Sequence, residues 1–90
     1  MERSNTVFIG RKPVLNYVLA CMTLFKLGHE DVIIKARGRS ISRAVDVVEV
    51  LKNRFMPNAH VTDIQIGTET VEGEGRGPSN ISTIDITIKA

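Results

Sequence analysis

Two hydrophobic periods alternate along this 90-residue chain, and each change of period marks an element. Thr6-Val7-Phe8-Ile9 is a short β-rich run that Gly10 ends. From Pro13 to Leu27 the apolar positions Val14, Leu15, Val18, Leu19, Cys21, Met22, Leu24, Phe25 and Leu27 follow i, i+3, i+4, i+7 spacing, with Tyr17 and Ala20 among them. Pro13 suits the first turn of a helix and Gly28 its C-terminal stop. Only Asn16, Thr23 and Lys26 are clearly polar, so this helix is expected to be buried on more than one side, by a sheet and by further protein. Asp31 to Ala36 has the unbroken apolar centre of an internal strand. A second helix follows, with Ser40 or Ser42 as its cap, Ile41, Ala44, Val45, Val48, Leu51 and Phe55 as its core face, and Val47, Val50 and Arg54 as a shoulder; Pro57 stops it. Val61, Ile64 and Ile66 lead a third strand to Glu72. Residues 73–80 form a glycine-rich loop, expected to be a long, mobile tip. From Ile81 to Lys89 the chain alternates, with Ile84, Ile86 and Ile88 on one face and Thr83, Asp85 and Thr87 on the other.

The order β-α-β-α-β-β predicts a two-layer α/β fold: a mixed four-stranded sheet, two helices on one face, and an extended β-hairpin arm, all in a single domain over residues 1–90. If the first two strands are parallel, both strand-to-helix junctions fall at one edge of the sheet. Both junctions are basic. The first carries Arg11 and Lys12. The second is Lys35-Ala36-Arg37-Gly38-Arg39-Ser40-Ile41-Ser42-Arg43, with four cations around one glycine. A helix start presents backbone N–H groups without intrahelical partners, and arginine adds bidentate forks, so this geometry suits phosphate. A solvated turn that binds nothing would have the same composition; it is the repetition of the arrangement that points to function.

The charge distribution supports a basic face. Residues 1–54 hold ten Lys or Arg against five Asp or Glu, and residues 55–90 hold two against five, so +5 and −3 make up the net +2. No apolar run is long enough for a membrane span, and no signal-peptide core follows Met1. One cysteine forms no internal disulfide, and a reducing, cytoplasmic setting is expected. His29 and His60 have no partner at metal-ligand spacing, Cys21 lies within an apolar pattern, and Gly73–Gly77 is followed by neither Gly-Lys-Ser/Thr nor a helix. The expectation is a protein without cofactor, metal or catalytic site. All four aromatics fall in apolar runs, so no exposed stacking platform for single strands is expected. Cationic contact to a duplex backbone remains.

Gly10-Arg11-Lys12-Pro13-Val14-Leu15-Asn16-Tyr17-Val18, the segment from Lys35 through Arg43 to Asp46, and Arg54-Phe55-Met56-Pro57 closely resemble the Alba family of archaeal chromatin proteins. The likeness runs from about residue 5 to residue 90. It implies a small homodimer that coats double-stranded DNA without sequence preference and also binds RNA. It places Arg11 and Lys12 at the centre of the binding face, with Arg37, Arg39 and Arg43 beside them and Ser40 within the same motif. It implies hairpin arms along the minor groove. The tip departs from that picture: Glu72 and Glu74 stand against one Arg76, and phosphates repel those carboxylates, which works against deep insertion; Arg76 can still enter the groove with the glutamates turned away. The resemblance also implies acetylation of Lys12, hence a deacetylase as a further partner, and side-by-side association of dimers on DNA through Asn53, Arg54 and Phe55. Because Arg11 stands where the family often has lysine, modification is not expected there.

The function expected from the sequence is a sequence-independent duplex-DNA-binding chromatin protein that compacts DNA, associated with the chromosome in the cytoplasm. An RNA-binding subunit of a ribonucleoprotein is the alternative, since the same face reads an A-form backbone. A scaffold that binds only proteins, through the first helix and Phe55, is a third reading.

Overall fold

The computed structural model describes residues 4–73, 75 and 77–90. Its elements are β1 (Thr6–Phe8), α1 (Val14–Lys26), β2 (Asp31–Arg37), α2 (Ser40–Val50) with a π-helical turn over Leu51–Phe55, β3 (His60–Gly73) and β4 (Gly77–Lys89). The sheet order is β1-β2-β4-β3, with β1 parallel to β2 and the other pairs antiparallel. This is the expected mixed four-stranded sheet with two helices.

β2 is internal, as its apolar centre predicts, but only alternate residues are covered. Val32, Ile34 and Ala36 are buried and pair with Ile88, Ile86 and Ile84 on the helix side. Lys35 and Arg37 lie on the opposite face, with Asp85 and Thr83 as their partners. Among the described residues no helix covers that second face, so the helices lie on one side of the sheet only. α1 and α2 pack against each other and against β2. Val18, Cys21, Ile34, Val47, Leu51 and Ile88 are fully buried between the layers. Large aliphatic side chains of this kind each contribute roughly 1.5–3 kcal/mol through burial.

The helix ends differ from expectation in small, explicable ways. Pro13 is the N-cap of α1 rather than its first residue. At the other end, the Gly28 and His29 N–H groups donate to Phe25 and Leu24 carbonyls, and Gly28 has φ 105°, which makes a Schellman stop. Neither Ser40 nor Ser42 caps α2: its N-cap is Arg39 and no side chain makes a cap bond, because Gly38 turns the chain so tightly that its own carbonyl accepts the Ile41 N–H. The core stripe of α2 is Ala44, Val47, Val48 and Leu51, a strict i, i+3, i+4, i+7 set. Val45 lies off that stripe and is exposed, so Val45 and Val47 exchange their expected places. The helix then widens, with the Met56 N–H donating to the Leu51 carbonyl five residues back at 2.7 Å. Phe55 comes out 41% exposed instead of joining the core. On α1, Tyr17, Val18 and Cys21 face the sheet side, while Leu15 and Leu19 remain half exposed where further protein was expected.

The hairpin is longer and its loop shorter than the sequence suggests. After a bulge between Val61 and Asp63, β3 and β4 pair without a break from Asp63↔Thr87 to Gly73↔Gly77, so most of the glycine-rich segment is strand. β2 ends at Arg37 opposite Thr83, so beyond the Gly67↔Thr83 pair the hairpin is only two strands wide. The six residues Thr68–Gly73 at ~3.3 Å each give a free arm of about 20 Å.

Candidate nucleic-acid interface

Parallel pairing of β1 and β2 sets both strand-to-helix junctions at one edge of the sheet. The first junction is shaped by a residue whose part the sequence reading missed. Tyr17, one turn into α1, is buried, and its hydroxyl oxygen accepts the backbone N–H groups of Gly10 and Lys12 at 2.9 and 3.0 Å. A Cβ on Gly10 would come within 3.3 Å of that hydroxyl. The phenol thus folds the turn around itself and leaves Arg11 and Lys12 exposed. The available signal was a lone tyrosine inside an otherwise apolar helix, since a buried phenol usually finds a polar partner.

Arg43 completes the same turn from the second junction. Its guanidinium donates to the Gly10 carbonyl at 2.7 Å, so an α2 arginine grips the turn that follows β1. The second junction turns on Gly38, whose φ of 57° is the left-handed conformation that glycine adopts without steric cost. The Gly38 N–H donates to the Ser82 carbonyl at 2.8 Å, which ties this turn to the base of the hairpin arm. Both turns and the arm therefore form one connected surface.

The cations on that surface differ in their freedom. Among the described residues, Arg11, Lys12 and Arg39 are exposed and form no ion pair. Ser40 is half-buried at the start of α2. Arg37 is ion-paired with Glu69, the first acidic residue of the arm, and Lys35 with Asp85 at 3.5 Å. Both pairs are largely open to solvent, where such contacts are worth about 0–1 kcal/mol. Arg37 is therefore available to another anion at small cost, whereas Arg43 is engaged in holding the fold. Arg76, expected at the arm tip, lies outside the described residues.

Asn53, Arg54 and Phe55 are exposed together on the π-helical turn, away from the two junctions in sequence. Cys21 is fully buried, and burial pushes its thiol up to about 12, which makes it a poor nucleophile. Among the described residues no group of His, Cys, Asp and Glu is arranged to hold a metal, and no helix is long and apolar enough to cross a membrane. One expectation fails: Phe8 is 72% exposed, on the uncovered sheet face beside Lys35, so the chain does present an open aromatic ring. Its place in an apolar run concealed this, because the strand's alternation turns Val7 inward and Phe8 outward.

Residues 5–68 match the family model described as Alba. The chain is 54% identical over 84 residues to the DNA/RNA-binding protein Alba 1 of Archaeoglobus fulgidus, with 93% of each chain covered. It is 49% identical over 88 residues to the DNA/RNA-binding protein Alba of Thermoplasma volcanium, with 98% of each covered. Among solved structures, Alba from Thermoplasma volcanium superposes with a TM-score of 0.89 at 48% identity, covering 94% of this chain and 99% of that one. ALBA1 from Trypanosoma brucei does so with a TM-score of 0.78 at 28% identity, covering 99% of this chain and 71% of that one.

Proposed function

The chain belongs to the Alba family, and from that premise we propose that it is a homodimeric chromatin protein, a single domain over residues 1–90, that coats and compacts duplex DNA without sequence preference and also binds RNA. The observation that carries this reading is the juxtaposition of two exposed basic turns with the base of a two-stranded arm. Relatives of nearly equal length that are named DNA/RNA-binding proteins, rather than enzymes, support it. Arg11 and Lys12 form the central phosphate contact, Arg39 and Ser40 flank it, and Arg37 joins when phosphate displaces Glu69. Arg43 adds positive field while holding the turn. The arm follows the groove.

Dimerisation is supported by Ile64 and Ile66. They pair with Ile86 and Ile84 on the helix side of the sheet, yet are 56% and 82% exposed. A second copy that covers this edge would extend the core of a chain too small to bury much surface alone. Asn53, Arg54 and Phe55 would join neighbouring dimers. Lys12, exposed and unpaired among the described residues, is accessible to acetylation, which would remove one charge from the centre of the face and leave a deacetylase to restore it. Such a protein acts on the chromosome in the cytoplasm.

The test is fluorescence anisotropy with several labelled duplexes of equal length across a salt series. If a dimer makes about six to ten phosphate contacts, affinity falls ~10³–10⁵-fold between 50 and 200 mM salt on every sequence alike. Lys12→Glu should weaken all of them together. Equal binding by wild type and Lys12→Glu at low salt would remove the central contact from this face, and a flat salt response would overturn the reading.

A further inference from the structure

The uncovered face of the sheet holds a groove of about 670 Å³ at the same edge as the basic turns. Phe8, Lys35, Arg37, Glu69, Thr83 and Asp85 are among the residues that line it. Its size lies within the range of small-molecule pockets, roughly 300–1,000 Å³. The charges inside are balanced, two cations against two carboxylates in two ion pairs. The rim is not: Phe8 is two residues from Gly10 and three from Arg11, and Arg37 adjoins Gly38 and Arg39. A neutral, flat, hydrogen-bonding group fits the interior, and a polyanion fits the rim. These are the base and the backbone of one nucleotide strand.

We propose that this groove takes one unpaired RNA base, stacked on Phe8, while the strand's phosphates lie on the basic turns. The inference rests on the nucleic-acid reading above and names what that surface selects. An exposed ring on a strand of an open four-stranded sheet is the arrangement on which bases stack in sheet-based RNA recognition. Duplex DNA keeps its bases in the helical stack, whereas folded RNA presents them in bulges and loops. The ring is immediately beside the phosphate-contacting turn, so a base that leaves the stack needs no second docking surface. The Thr83 hydroxyl and the Asp85 carboxylate, paired across the strands with Arg37 and Lys35, offer partners for a base edge.

The experiment compares an RNA hairpin carrying a single-nucleotide bulge with the same hairpin fully paired, using wild type, Phe8→Ala and Phe8→Trp by anisotropy. Phe8 is mostly exposed, so its truncation removes little core; circular dichroism and light scattering check fold and oligomer size. The expected result is tighter binding of the bulged RNA by wild type. Phe8→Ala should lose about ten-fold on the bulged RNA only, with the salt slope unchanged because no charge is removed. The chain has no other tryptophan, so the emission of Phe8→Trp should be quenched by the bulged RNA and not by the paired one. Equal loss on both RNAs, no loss on either, or a change of oligomer size in Phe8→Ala would overturn the base site and leave the duplex reading standing. Failure of wild type to bind either RNA or duplex DNA would overturn both.

Discussion

Tyr17→Phe isolates the contact on which the first basic turn depends. The substitution keeps the ring, and removes one oxygen that accepts N–H bonds from Gly10 and Lys12 at 2.9 and 3.0 Å. A net intramolecular hydrogen bond is worth about 0.5–1.5 kcal/mol, so two give about 1–3 kcal/mol. The turn is only half-buried, and water can reach part of the vacated site, which places the expectation in the lower half of that range. For a chain of this size each kcal/mol moves Tm by roughly 4–8 °C, so about 1–2 kcal/mol predicts a fall of about 4–16 °C. The assay is thermal and urea unfolding at one fixed protomer concentration, since an oligomer's Tm depends on it. Thr70→Val is the control: it deletes a hydroxyl that donates to Asn80 in the exposed arm, and should change stability by less than about 0.5 kcal/mol. In binding, Tyr17→Phe should lower affinity for duplex DNA less than Lys12→Glu does, with the salt slope kept because every charge remains. A Tyr17→Phe protein as stable as wild type, or one whose salt slope collapses, would refute the claim that the phenol holds the turn and only the turn.

The remaining cations should separate by role. Arg43→Ala should cost about 1–2 kcal/mol in urea unfolding because it leaves the Gly10 carbonyl without its guanidinium, whereas Arg39→Ala should leave stability unchanged and reduce the salt slope by about one for each phosphate it no longer neutralises. Glu69→Gln frees Arg37 and should tighten duplex binding by up to about five-fold at low salt, an advantage that disappears as salt rises; unchanged affinity would mean that Arg37 does not face the polyanion. With the Cys21 thiol raised to about 12 from an unperturbed value of 9.0, the folded chain should resist iodoacetamide at pH 8 to 10 and react once urea unfolds it. Rapid alkylation of the native protein in that range would contradict the burial of this helix face. The folded state keeps the Cys21 proton where the unfolded chain has lost it, so this contribution to stability is intact below about pH 9 and declines as pH rises toward 12.

Most of the fold was legible in the chain because its periods are clean. The helical spacing from Val14, the alternation from Ile81 and the Gly28 stop each predict one local structure and no other. What misled was local chemistry with two compatible outcomes. Three glycines and a proline between Glu72 and Ile81 read as loop, yet cross-strand pairing carries the ladder to Gly77, since glycine tolerates a strand even where it does not favour one. Val45 and Val47 are equally apolar neighbours on α2, and only the packing of α1 against α2 decides which of them turns inward. The two serines at the second junction read as caps, but a left-handed Gly38 closes the turn first.

The site was legible as a charge pattern and not as a division of labour. Arg37, Arg39 and Arg43 are the same residue type within seven positions, so composition assigns them one role. Their partners assign three. Arg43 meets a carbonyl seated by another element, Arg37 meets a carboxylate thirty-two residues away, and Arg39 meets solvent. Sequence spacing carries no trace of those partners, because each is created by the sheet register and the helix packing. The same holds for Tyr17, which serves the basic turn through an oxygen that no apolar periodicity would reveal. A polyanion-binding turn must expose its cations and still keep a defined backbone, and like charges repel one another toward disorder. Neutral or inward-facing groups therefore have to fix the backbone: the phenol holds the first turn, a glycine holds the second, and one arginine gives up its exposure to join them.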